Sequence, residues 1–86
     1  MKIQGALVKE QGVNFAIVIV KPFVLQSTFE ANKTRQSFAS LFPGLPIILM
    51  VQDGRGRPTY QGRTDIVNFL VNVPMSAIPW KEYSYN

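Results

Sequence analysis

An α/β domain of order β-β-α-β-β-α, with a four-stranded mixed sheet and both helices on one face, is predicted by three features of the 86-residue sequence. Residues 13–20 and 47–51 are almost unbroken apolar runs rich in β-branched side chains, the pattern of strands buried on both faces. Between them Ser27 is followed three residues on by Glu30, the spacing of a capping box at a helix start. Proline and glycine at Pro22, Pro43-Gly44, Asp53-Gly54 and Pro74 divide the chain where the periodicity changes.

Each element follows in turn. Met1 to Lys9 alternates, with Ile3 and Leu7 on one side and Lys2, Gln4 and Val8 on the other, which suits a strand exposed on one face. Gln11-Gly12 supplies a turn into residues 13–20, so the first two strands form an antiparallel hairpin. The second of them is expected at the centre of the sheet, and Lys21-Pro22 ends it, since proline donates no ladder hydrogen bond. A helix over residues 28–42 follows, with Ala31, Phe38, Leu41 and Phe42 inward and Asn32, Lys33, Gln36 and Ser40 outward. Residues 47–51 form the third strand, which a right-handed crossover makes parallel to the second. The Asp53-Gly54-Arg55-Gly56 turn leads into a fourth strand over 57–61, and Pro58 places that strand at an edge. Thr64 then caps a helix to about residue 73, with Asp65 in its first turn and Ile66, Val67, Phe69, Leu70 and Val73 on its apolar face. Residues 1–74 make up the core of a single domain spanning 1–86, and residues 75–86 form an aromatic tail.

Composition narrows the function. Hydrophobic residues make up 47% of the chain and charged residues 16%, which leaves little charge to cover the outside. With both helices on one face, either Phe15, Ile17 and Ile19 or Ala16, Val18 and Val20 would lie uncovered, and a second subunit would bury them. A homodimer follows, with Val18, Val20, Trp80, Tyr83 and Tyr85 as interface candidates; the aromatic tail packed on its own core is the competing arrangement.

The absence of cysteine and histidine removes the thiolate nucleophile, the commonest general base and the commonest metal ligands, so no metal, cofactor or enzymatic role is expected. Polar residues interrupt the first ten positions, and the longest apolar run, from Phe15 to Val20, is far short of a membrane span, so a cytoplasmic location away from membranes is expected.

The net charge of +4 reflects few acids, and the bases are spread along the chain. Arg55, Arg57 and Arg63 nevertheless stand near Tyr60, where guanidinium groups and an aromatic face suit an anion or a nucleic acid. The same residues also suit a polar hairpin whose edge is kept soluble by arginine. Lys21, at the carboxyl end of a central strand, is a further ligand candidate, because open α/β sheets place ligands there. A non-enzymatic, self-associating protein-interaction module is thus the first expectation, and an anion- or nucleic-acid-binding module the second.

From Gly44 to Val73, Gly44-Leu45-Pro46, the apolar strand, the Asp53-Gly54 turn, the edge strand ending at Gly62 and the helix with Phe69-Leu70 resemble the closing β-β-α of thioredoxin-like proteins. The resemblance implies a cis peptide before Pro46 and an antiparallel strand after it. The redox cysteines have no counterpart in Lys21-Pro22-Phe23-Val24, so it implies a binding module without redox chemistry.

Overall fold

The computed structural model describes residues 2–10 and 12–84. Strands β1 (Lys2–Glu10) and β2 (Val13–Ile19) form the expected hairpin, helix α1 (Thr28–Ser37) leads to β3 (Ile47–Gln52), and β4 (Pro58–Gln61) precedes α2 (Thr64–Leu70). A further strand, β5 (Lys81–Ser84), follows. Among the described residues the sheet is therefore five-stranded, in the order β4-β3-β2-β1-β5, and the predicted count of four is corrected by one.

β2 lies at the centre, parallel to β3 as the crossover requires, while β1–β2, β3–β4 and β1–β5 are antiparallel. The peptide before Pro46 is trans. β5 comes from the aromatic tail: Tyr83 pairs with Ile3, and its ring meets Phe42 edge-on at 5.1 Å between centroids.

The second correction concerns the layers. Alternate residues of β2 point to opposite faces, and each face has its own cover. Phe15 and Ile17, with Ala6, Ile48 and Met50, pack against Ile66 and Leu70 of α2 and against Ile78. Ala16 and Val18, with Ile47 and Leu49, pack against Val24, against Ala31 of α1, and against Phe38 and Phe42 beyond it. The helices thus sit on opposite faces, and among the described residues each set of β2 side chains is covered within the chain itself.

Local chemistry explains the element boundaries. Ser27 Oγ accepts from the Glu30 amide at 3.2 Å, which satisfies an orphan donor at the start of α1. The helix ends at Ser37, five residues before its predicted end, because the chain loosens into i+3 bonds such as Phe38 N to Arg35 O and Leu41 N to Phe38 O. Phe38 and Phe42 stay buried all the same, since the turns keep them on the inner side. α2 ends at Leu70, and Arg63 occupies its N-cap without a side-chain cap bond, so Thr64 is its first residue rather than its cap.

Gly5 marks the tightest approach between strands. A Cβ there would stand 2.6 Å from Ile17 O and 3.6 Å from Cε2 of Tyr83. Gly5→Ala is expected to lower stability by about 1–3 kcal/mol in urea unfolding, because the hairpin must shift to admit a methyl group. Gly54→Ala, where nothing lies within 4 Å, is expected to stay within about 0.5 kcal/mol of the parent.

Candidate functional site

Proline at position 22 restrains Lys21 to extended backbone, with φ −75° and ψ 151°, and starts a 3-10 turn, Pro22–Gln26. The Val20 amide still donates to Met50 O at 2.9 Å, so the β2–β3 ladder holds the chain up to the residue before Lys21. In the turn Val24 is buried and anchors the segment, while Phe23 is 56% exposed.

This turn, the end of β2, the start of β1 and the last part of α1 line an open surface groove of about 670 Å³. Its walls are apolar, from Ile3, Ile19, Val20, Phe23, Val24 and Phe38. Its polar lining is Lys2, Gln4, Lys21, Thr34 and Ser37, which includes two lysines and no carboxylate. Lys2 Nζ lies 3.4 Å from Glu82 of β5, a pair exposed enough for water to screen it. The Lys21 ammonium has no ion-pair or hydrogen-bond partner among the described residues. An apolar cleft of this size with a few polar groups has the form of a small-ligand site.

The arginine set is not brought together. Arg55 and Arg57 stand at the tip of the β3–β4 hairpin and Arg63 beyond the other end of β4, so the four-residue strand lies between them. Asp53 organises the tip: its carboxylate accepts from the Arg57 and Arg55 amides at 2.9 and 2.8 Å and from Arg57 Nε at 3.2 Å. Those backbone bonds, Arg57 first, hold its carboxyl below the usual carboxylate range. Arg63 forms a two-pronged pair with Asp65 at 2.8 Å, and that hydrogen bond lowers the Asp65 carboxyl likewise. Two of the three guanidinium groups thus already hold a carboxylate. Tyr60 lies half-buried against the α2-side core, its hydroxyl has no hydrogen-bond partner among the described residues, and burial pushes its pKa up.

Of the interface candidates, Val18 is fully buried under α1 and Val20 lines the groove. Trp80 packs half-buried on the α2-side core, with Nε1 donating to Met75 O at 3.1 Å, and Tyr83 packs on the α1 side. Tyr85 lies outside the described residues. No group of three or more carboxylates that could hold a metal ion occurs among the described residues, and no helix there is long and apolar enough to cross a membrane.

Two residues that the sequence did not single out matter here. Lys2 joins Lys21 at the groove only because β1 runs antiparallel to β2, a pairing that brings the two ends together. Arg35 is a half-buried clamp at the opposite end of the central strands. It donates to Ile47 O at 2.9 Å, Asn32 Oδ1 at 2.8 Å, Gln61 O at 3.2 Å and Gln61 Oε1, and burial lowers its pKa. Its place four residues after Ala31 and three before Phe38 puts it on the inner stripe of the helix, a signal present in the sequence. Compared with protein-family models, with curated proteins and with solved structures, the chain matches none.

Proposed function

We propose that the chain is a non-enzymatic binding module for an anionic ligand, seated in the groove at the carboxyl end of β2. The observation that carries this reading is the Lys21 ammonium, unpartnered among the described residues, beside apolar walls with no lining carboxylate, with the Glu82-paired Lys2 next to it. A neutral or cationic ligand would leave the Lys21 ammonium beside it uncompensated, whereas an anion gains from it; Lys2, already paired with Glu82, adds only a screened contribution. The position at the end of a central strand of an α/β sheet supports the same site. The lack of cysteine and histidine supports binding without turnover.

Anilinonaphthalene sulfonate, which joins an apolar body to one negative charge, serves as the first probe. Its fluorescence is expected to rise on binding a single site. Lys21→Gln should weaken that binding about threefold to tenfold, and added salt should weaken it further. Arg55→Gln should leave it unchanged, with far-ultraviolet circular dichroism confirming the fold of each variant. Binding that survives Lys21→Gln and is lost with Arg55→Gln would return the site to the β3–β4 hairpin.

A further inference from the structure

Resting on that reading, we infer that the ligand is a single-headed amphiphile, an acyl chain ending in a carboxylate, rather than a compact anion. The groove has the means to hold a charge but not to recognise the shape of an oxyanion. Compact phosphates and sulfates are held by bidentate guanidinium groups or by several converging backbone amides. Here the cations are lysines, point charges on flexible stems. The guanidinium groups are elsewhere: Arg57 and Arg63 hold Asp53 and Asp65, and Arg35 is committed to Ile47, Asn32 and Gln61. Most of the contact area offered to a ligand is therefore apolar side chain, from Ile3, Val20, Phe23, Val24 and Phe38.

The surroundings also orient the ligand. The last residues of α1 supply Thr34 and Ser37 to the groove, and the carboxyl end of a helix repels an anion. The head group therefore belongs with Lys21 on the strand side, since Lys2 already faces Glu82, and the chain extends towards Val24 and Phe38. The head is a monoanion held by charge alone, so its affinity depends on salt, and the apolar chain supplies the graded part of the affinity.

Calorimetric titration of the protein with octanoate, decanoate and dodecanoate, each below its critical micelle concentration, tests this, with octanol and inorganic phosphate alongside. Affinity is expected to rise about fourfold for each methylene that the groove covers. Octanol should bind about threefold to tenfold more weakly than octanoate, and phosphate more weakly than any of the carboxylates. Lys21→Gln should lower all the carboxylates by one common factor and leave the dependence on chain length intact. Phe23→Ser, at a position that is 56% exposed, should flatten that dependence, with far-ultraviolet circular dichroism confirming the fold. Phosphate binding as tightly as dodecanoate, with no gain along the series, would overturn the amphiphile and leave the anion site standing. Octanol equal to octanoate, or no binding by any of the probes, would overturn the anion site and this inference together.

Discussion

Phe42→Ala is expected to lower the unfolding free energy by about 3–5 kcal/mol. A chain of this length has about 4–13 kcal/mol in total, so the variant should unfold at much lower urea or be largely unfolded at room temperature. The size of the effect follows from where the ring sits. Phe42 is 2% exposed, in the layer that covers Ala16, Val18, Ile47 and Leu49, and its ring also meets Tyr83 of β5. Truncation would open a cavity under the α1 face and loosen the edge strand in one step. Phe29→Ala, where the ring is 71% exposed, is the matched control and should change stability by less than about 0.5 kcal/mol. Equal effects at the two positions in urea melts would mean that the layer over the α1 face is not packed as described.

The second large effect is expected at Arg35. Arg35→Met keeps much of the aliphatic stem but strands Gln61 and the Ile47 carbonyl, and should cost about 2–4 kcal/mol. Arg35→Lys should restore only part of this, because one ammonium cannot span acceptors on α1, β3 and β4 at once. The clamp fastens β4, a four-residue edge strand opened by Pro58, and amide hydrogen exchange in Tyr60 and Gln61 should quicken in the methionine variant. Full rescue by lysine would show that charge alone, and not the planar fork, holds this edge.

Much of the fold was legible from periodicity. The central position of β2, the capping box at Ser27, the parallel β2–β3 pair and the edge position of β4 follow from β-branched runs, cap spacing, crossover handedness and proline. The placement of α2 was not legible. Nothing local to Thr64–Leu70 specifies which face of the sheet the chain returns to after an antiparallel edge strand. The information lay instead in β2, whose apolar residues on both faces require a cover on each side. β5 was missed because Lys-Glu-Tyr-Ser has a single apolar residue in four and gives no alternating signal; its partner, the start of β1, defines it.

The site was partly legible for the same reasons. Lys21 was marked by its place at the end of a central strand, and the structure puts it on the groove. Lys2 came into view only through the antiparallel pairing of β1. Arg55, Arg57 and Arg63 are close in sequence, but the extended backbone of β4 separates them and nearby carboxylates hold two of the three.

The central claim is that the groove at the carboxyl end of β2 is the binding site, and amide chemical-shift mapping of the nitrogen-labelled protein titrated with decanoate tests it most directly. The account predicts shifts that saturate together at Ile3, Val20, Lys21, Val24 and Phe38, with Asp53 to Arg57 and the residues of α2 unmoved. Saturating shifts confined to the Asp53–Arg57 hairpin or to α2, or a spectrum that decanoate leaves unchanged, would contradict it.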